Sequence, residues 1–229
     1  MSAVLTLALD ASTYTGSVAL LDGERMISER EVAMRGEKEE RLMPAVESIM
    51  AEAGIRPSEL GRVACGGGPG SFTSLRIAAA IGKGIAAGRG IPLYSVSSLL
   101  LLVAGSVSAL TPGRYLAVMD ALRGDAYVAG YEYREPSNGD GRRVEFLEMA
   151  PLALVERGNV SALADSLGAR SIGPGEKIAA LPRASGFARL TTLLGGSAPV
   201  DLALWEPDYG RLAEAQVRWE REHGKPLRR

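Results

Sequence analysis

The sequence predicts a mixed α/β protein built from two similar halves. Short apolar runs alternate with stretches in which apolar residues recur at helical spacing. A strand ending in Asp-Ala occurs twice, as Leu7-Ala8-Leu9-Asp10-Ala11 and as Ala117-Val118-Met119-Asp120-Ala121. In both copies a turn leads into a second apolar strand, Gly16-Ser17-Val18-Ala19-Leu20 and Asp125-Ala126-Tyr127-Val128-Ala129. Asp10 and Asp120 lie 110 positions apart in a chain of 229, close to half its length. A self-similar offset of that size is the mark of an internal duplication.

The elements follow in order. Val4 to Leu9 reads as a buried strand and Thr15 to Leu21 as the next. Asp22-Gly23 is a hairpin turn into a third strand near Arg25 to Val32. Leu42, Met43, Val46, Ile49, Met50 and Ala53 share one face of a helix from about Glu37 to Ala53, closed by Gly54. Pro44 is expected to bend that helix. A strand at Arg62 to Cys65, a helix from Phe72 to Gly88, a strand at Leu93 to Val96 and a helix from Ser98 to Ser106 come next. Thr111-Pro112-Gly113 punctuates the chain. The repeat then restarts, with a third strand at about Arg143 to Met149. Val160 to Leu167, Arg170 to Ile172 and Tyr209 to Glu222 complete the elements. The expected division is 1–108 and 111–206, with a helix at about 209–222 packing back on the first half.

Composition excludes several chemistries. Net charge is −1 and aromatics make up 5%, so neither a basic nucleic-acid surface nor a base-stacking platform is indicated. The basic residues Arg218, Arg221, Lys225, Arg228 and Arg229 are partly offset by Glu214, Glu220 and Glu222 and read as a solvated tail. The one cysteine, Cys65, permits no intramolecular disulfide and fits a reducing compartment. The N-terminus lacks the pattern of a signal peptide, and no apolar run is long enough to span a membrane, so a cytoplasmic protein is expected. The one histidine, His223, stands in the polar tail, which argues against a Ser-His-Asp triad or a histidine-based zinc site.

The densest signal is Cys65-Gly66-Gly67-Gly68-Pro69-Gly70-Ser71-Phe72-Thr73-Ser74-Leu75-Arg76. A strand runs into four glycines within five residues, and a helix opens at Ser71, a good N-cap. Such a loop either cradles an anion on free amides or turns tightly under a packed helix. No lysine follows the glycines, so it is not a P-loop, and Ser71 replaces the third glycine of a dinucleotide fingerprint.

Two halves that each open with a strand, an Asp-bearing turn and an antiparallel meander suggest the actin/hexokinase-like (ASKHA) architecture, with duplicated RNase H-like halves. Asp10 and Asp120 would then face each other across a cleft, although an Asp ending a strand is also a common turn cap. The chain resembles the TsaB (YeaZ) family of the tRNA threonylcarbamoyladenosine machinery. The resemblance rests on Ala8 to Thr13, Gly16 to Leu20, Gly66 to Arg76, Ser95 to Leu99 and Met119 to Gly124, with a weaker match at Glu206 to Arg211. It is dense over the first ~130 residues and thin beyond.

The resemblance implies a non-catalytic subunit that forms a heterodimer with its paralogue TsaD, which transfers the threonylcarbamoyl group to ANN-decoding tRNAs. It implies a further partner, the P-loop ATPase TsaE, contact with tRNA only through the complex, and a possible homodimer in isolation. Ser98 and Leu102 stand where TsaD carries metal-binding histidines, and Lys38 where many family members have histidine. No cofactor is expected here, ATP and metal belonging to the partner subunits. Asp10, Ser12, Thr13, Gly67, Gly68 and Asp120 are the candidates for a vestigial cleft. Leu42, Met43, Val46, Ile49, Met50, Ala80, Gly84 and Gly88 are the candidates for the partner interface. Helical glycine costs ~1 kcal/mol relative to alanine, so Gly82, Gly84 and Gly88 imply close approach by the chain's own sheet or by a partner helix. An alternative is a small ATP-dependent kinase, with Asp10 and Asp120 serving Mg²⁺ and the acceptor. Against it, the turn Ala11-Ser12-Thr13-Tyr14 reaches no glycine before Gly16. A peptidase is a third reading, opposed by the histidine count.

Overall fold

The computed structural model describes residues 4–36, 39–135, 144–210 and 223–224. Strands β1 (Leu5–Asp10), β2 (Thr15–Asp22) and β3 (Arg25–Ala33) form an antiparallel meander. Helix α1 (Leu42–Ala53) leads to β4 (Arg62–Gly66), which returns parallel to β1. Helix α2 (Phe72–Arg89) crosses over to β5 (Leu93–Val96), giving a five-stranded sheet of order β3-β2-β1-β4-β5. After α3 (Ser98–Ala104) the meander recurs as β6 (Gly113–Asp120), β7 (Asp125–Arg134) and β8 (Glu145–Glu156). Helix α4 (Val160–Ser166) and β9 (Arg170–Ile172) follow, with β9 parallel to β6 as β4 is to β1. The second sheet has the order β8-β7-β6-β9. A 3₁₀ segment (Ala184–Arg189) and α5 (Thr191–Gly196) then return to the first sheet. Two meanders, each extended by a parallel strand beside its first strand, make this the duplicated ASKHA fold.

Period-two alternation assigns the faces. On the first sheet Leu7, Leu9, Val18, Leu20, Val63 and Cys65 face α1 and α2. Ala8, Ala19 and Ala64 point the other way, toward Leu101, Phe187 and Leu190. These alanines are paired in register, and their small side chains let α3 and the 184–189 segment lie close to the strands. Helix α3 is covered on both sides: Leu101 and Ala104 pack on the first sheet, Leu99 and Val103 against Tyr115, Tyr131 and Tyr133 of the second. Hydrogen bonds from Ala184 N to Ser17 Oγ (2.8 Å) and from Ser185 N to Glu29 Oε1 (3.0 Å) fix the returning segment.

Three expectations are corrected. Helix α1 starts at Leu42, so Pro44 falls in its first turn, where no intrahelical N–H is required, and it bends nothing. Glu40 takes the place of a cap, its carboxylate accepting the amides of Leu42 and Met43. The third strand of the second meander is longer than expected and runs to Glu156. Leu42, Val46, Ile49 and Met50 are buried in this chain's own core, so they are not the partner-facing surface. An apolar stripe at helical spacing has to cover the sheet beneath it first. Lys38 and the helix expected over 211–222 lie outside the described residues. Among the described residues no helix is long and apolar enough to cross a membrane.

The glycines of α2 divide into two kinds. A Cβ on Gly82 would stand 2.5 Å from Cys65 Sγ, so Gly82 is the point where helix meets sheet. Among the described residues nothing lies within 4 Å of a Cβ built on Gly84 or Gly88. We therefore expect Gly84→Ala to stabilise the chain by about 1 kcal/mol and Gly82→Ala to destabilise it by about 1–3 kcal/mol. Val46→Glu, which places a charge at a site 1% exposed, should leave no folded protein. Urea unfolding of the three variants checks the split, and equal shifts for Gly82 and Gly84 would refute it.

Candidate functional site

The two Asp-Ala turns end the first strand of each half and use their carboxylates alike. Asp10 Oδ1 accepts the amide of Ser12 (3.0 Å), and Asp120 Oδ1 accepts the amide of Leu122 (2.8 Å). This is the Asx turn, in which the side chain stands in for backbone. The environments then diverge. Asp120 is exposed at the edge of a cleft. Asp10 is fully buried, and it also accepts the Ser12 hydroxyl (2.8 Å) and the Ser98 hydroxyl (2.6 Å). Burial raises the Asp10 pKa, and the bonds from Ser98 and Ser12 pull against that rise. Asp10 therefore does not face Asp120 across open space, as the sequence suggested.

The glycine loop lies on the chain itself. A side chain at Gly66 would collide with the Asp10 carboxylate, one at Gly68 with the Asp208 carbonyl, and one at Gly70 with the Ser12 carbonyl. Gly68 has φ +89, in the left-handed region that suits glycine. Its amide donates to Ser98 Oγ (3.1 Å), Gly67 N to Val96 O (2.7 Å) and Ser71 N to Ser12 O (2.8 Å). Ser71 occupies the N-cap position of α2, but its hydroxyl pairs with that of Ser74 (3.0 Å) instead of capping the helix. The turn Gly173-Pro174-Gly175 follows β9 as the glycine loop follows β4, and Gly173 packs on the Val118 carbonyl.

The segment Val200–Gly210 closes over this loop. Val200 N donates to Leu93 O (2.9 Å), Lys83 Nζ to Trp205 O (2.9 Å) and Asp208 N to Gly67 O (2.7 Å). Tyr209 packs its ring on Phe72, centroids 4.5 Å apart, and its carbonyl accepts the Tyr127 hydroxyl (3.2 Å). The segment thus joins the first half to the second.

Beside it lies a cleft of about 1020 Å³ between the halves. Of the sequence candidates, Ser12, Thr13 and Asp120 line it, whereas Asp10, Gly67 and Gly68 lie behind its wall. Sequence reasoning missed Tyr14, Phe72, Leu122, Leu154 and Tyr209, which come from separate elements. Tyr14, Phe72, Leu122 and Tyr209 lay within segments already singled out, but for other reasons, and Leu154 in none. In the ASKHA family such a cleft holds a nucleotide and its metal. The residues here do not fit that group, because Asp10 and the loop amides are bonded to the protein and Asp208 sits on Gly68. Of the two positions that the resemblance matched to metal-binding histidines, Ser98 bonds Asp10 and Leu102 is buried among apolar side chains. Burial pushes the Cys65 thiol well up, so it is no nucleophile. His223 is exposed.

A pH test follows from the Asp10 environment. A carboxyl whose pKa is raised on folding stabilises fully below its unfolded value, about 3.9, and loses that contribution as pH rises through the folded value. The unfolding free energy of the native chain should therefore fall, relative to Asp10→Asn, as pH rises above about 4. Urea titrations across that range check this, and a constant difference between the two proteins would refute it.

Residues 31–154 match the family described as TsaD, tRNA N6-adenosine threonylcarbamoyltransferase. The chain is 35% identical over 133 residues to the tRNA threonylcarbamoyladenosine biosynthesis protein TsaB of Escherichia coli, covering 58% of this chain and 56% of that one. It is 34% identical over 128 residues to the protein of the same name from Bacillus subtilis, covering 56% and 55%. The alignments thus span about half the length of these curated relatives. The structure of YeaZ from Pseudomonas aeruginosa superposes with a TM-score of 0.75 at 26% identity, covering 90% of this chain and 99% of that one. A second Pseudomonas aeruginosa structure, described as an uncharacterized protein with similarity to the peptidase YEAZ, gives the same score and identity. With more than half of its residues matched to the TsaD family and its whole fold shared with YeaZ, the chain belongs to the TsaB/YeaZ family.

Proposed function

We propose that this chain is a non-catalytic subunit of the tRNA threonylcarbamoyladenosine machinery, which pairs with and activates a TsaD-type catalytic paralogue. The observation that carries the reading is the use made of Asp10 and the glycine loop. The groups that would hold Mg²⁺ and phosphate are hydrogen-bonded to the protein, so the fold is kept while the reaction belongs to another subunit. Nucleotide and metal then reside on the partners, a TsaE-type ATPase joins the assembly, and tRNA is met only within it, in the cytoplasm. Alone, the chain can pair with itself through the same surface.

The partner surface is the exposed strip Ala80, Gly84 and Gly88 of α2, together with half-buried Met43 of α1. Leu42, Val46, Ile49 and Met50 support this surface from behind. A Cβ at Gly84 or Gly88 would meet nothing within 4 Å among the described residues, which leaves room for a helix to approach closely. Activation means binding the active form of the paralogue better than the inactive one. A preference of about 3 kcal/mol shifts that balance roughly 150-fold. The kinase reading is disfavoured by the same Asp10 contacts. The peptidase reading is disfavoured because Ser12 and Ser98 both donate to a carboxylate with no imidazole between them.

The test is threonylcarbamoyladenosine formation on unmodified tRNA, with the paralogue, the ATPase and a threonylcarbamoyl-adenylate source, with and without this chain. Product should depend on the chain. Gly84→Arg should lower the yield at least tenfold at limiting concentration without lowering the unfolding temperature, while Gly84→Ala retains it. Product that is indifferent to the chain, or ATP binding by the chain alone, would overturn the proposal.

A further inference from the structure

The segment 200–210 contains no helix or strand, and six of its eleven residues are exposed. A stretch of that kind, held by few contacts, opens and closes more readily than the elements beneath it. Its ties are spaced out along its length. Val200 N donates to Leu93 O of the edge strand β5 at one end (2.9 Å), and the Trp205 carbonyl accepts the Lys83 ammonium in the middle (2.9 Å). Asp208 N donates to Gly67 O near the other end (2.7 Å). Beyond it Tyr209 lines the cleft, packs on Phe72 and accepts the Tyr127 hydroxyl of the second half. The segment is thus a strap that runs from the edge of the first sheet, past α2, to the junction of the halves.

One part of the strap points away from the chain. Leu204 is 80% exposed, the highest value among the large hydrophobic residues described. It is held there by a tight turn. Ala203 N donates to Asp201 Oδ1 (2.8 Å), and Leu204 N (3.2 Å) and Trp205 N (2.8 Å) donate to Asp201 O. On either side of it Leu202 and Trp205 pack inward against the core of the first half. The turn therefore fixes a leucine in water, where it gains nothing from burial within this chain.

A lone exposed leucine is ordinary. What distinguishes this one is where it is fixed. Its neighbour Trp205 is bonded through its carbonyl to Lys83, which lies one residue and about 100° round α2 from Gly84. Leu204 thus stands on the flank of the strip formed by Ala80, Gly84 and Gly88, and the surface offered to a partner continues from the helix onto the strap.

We propose that the strap carries pairing at α2 to the junction of the halves: the TsaD-type paralogue that covers Ala80, Gly84 and Gly88 also covers Leu204, and so holds the strap down. This deepens the pairing proposed above and rests on it. A lifted strap does not offer Leu204 in place, so the paralogue binds the docked form better, and that preference is the coupling. By linkage, the factor by which Leu204 strengthens pairing is the factor by which pairing slows lifting of the strap. Phe72 and Gly84 are twelve residues apart on α2, about 18 Å along the helix. A contact made at Gly84 and Leu204 therefore fixes Tyr209 over Phe72 and against Tyr127 without touching them.

The test is hydrogen exchange of the full-length chain, read at the Asp208 amide, with and without saturating TsaD-type paralogue. That amide lies at the Gly67 end of the strap, so its protection reports docking of the strap and not cover by the partner. The paralogue should slow its exchange at least tenfold. Leu204→Ser should weaken pairing at least tenfold, with an unfolding temperature no lower than that of the native chain. In the complex that this variant forms at high paralogue concentration, the slowing at Asp208 should fall by the same factor as the affinity. A paralogue that pairs but leaves the Asp208 amide unchanged would overturn the proposal and leave the pairing itself in place. Native-strength pairing by Leu204→Ser would also overturn it, and loss of self-association in the same variant would assign Leu204 to a second copy of this chain. Absence of any pairing with the native chain would overturn the proposed subunit role and the strap's part in it together.

Discussion

The hydrogen bond from Ser98 to Asp10 is the interaction on which the rest of the structure depends. A carboxylate with no exposure to water and no cation beside it is costly unless donors surround it. Asp10 has the Ser12 amide and the hydroxyls of Ser12 and Ser98. Those three contacts fix the end of β1, the turn after it and the first residue of α3. Ser98 extends the network, its Oγ accepting the Gly68 amide (3.1 Å) and its own amide donating to the Gly68 carbonyl (2.7 Å). The glycine loop is thereby bound to α3, and Gly66 must lack a side chain to make room for the carboxylate. One buried acid thus sets where a strand ends, where a helix begins and how the loop between β4 and α2 lies.

The same network fixes the relation between the halves. Helix α3 packs against both sheets, and the Val200–Gly210 segment ties Gly67 of the first half to Tyr127 of the second. A Cβ on Gly210 would strike the Tyr127 ring, so that contact is close as well as polar. Two independent ties resist a hinge more than one does. A catalytic cleft that must close on its substrate needs freedom between its halves. A subunit that presents a surface gains from holding them at one spacing, because no ordering cost then falls on binding.

Much of this was legible in the sequence, and the limits have physical causes. The central strands were readable because both of their faces are covered, which leaves short apolar runs bounded by turn residues, whereas the edge strands β3 and β8 are largely exposed. The duplication was readable because Asp10 and Asp120 make the same turn and so keep the same local sequence. The glycine loop announced a close approach, but not that the approaching atoms would be the chain's own Asp10, Ser12 and Asp208. Pro44 suggested a bend because the start of α1 could not be read without knowing that Glu40 caps it. The family resemblance implies an interface at Leu42, Val46, Ile49 and Met50, and their helical spacing shows only that this face of α1 is apolar. Whether a sheet or a partner covers it is a tertiary fact. The cleft was the least legible feature: Tyr14, Phe72, Leu122 and Leu154 are far apart in the chain, and each alone is an unremarkable exposed hydrophobic residue.

On the proposed reading, the contrast between the two aspartates separates a folding role from a chemical one. The Asx turn at the end of β1 and β6 is a folding requirement and is kept in both halves. What separates a metal-binding acid from a structural one is access. Three donors from the protein and the absence of water remove it at Asp10, and coverage of Gly68 by Asp208 removes it at the phosphate end. Both changes use groups that the fold already carries, so they strengthen internal packing as they remove the ligand site. The space left over is lined by what the surrounding turns, α2 and β8 present, Tyr14, Phe72, Leu122 and Leu154 alongside Ser12, Thr13, Asp120 and Asp125. An exposed apolar cleft is a standing liability for aggregation. Leu122 and Arg123 hold left-handed backbone at its lip, kept there by the Asp120 carboxylate, the Asp125 carbonyl and the Arg157 amide, so the same Asx turn that ends β6 also sets the shape of the cleft.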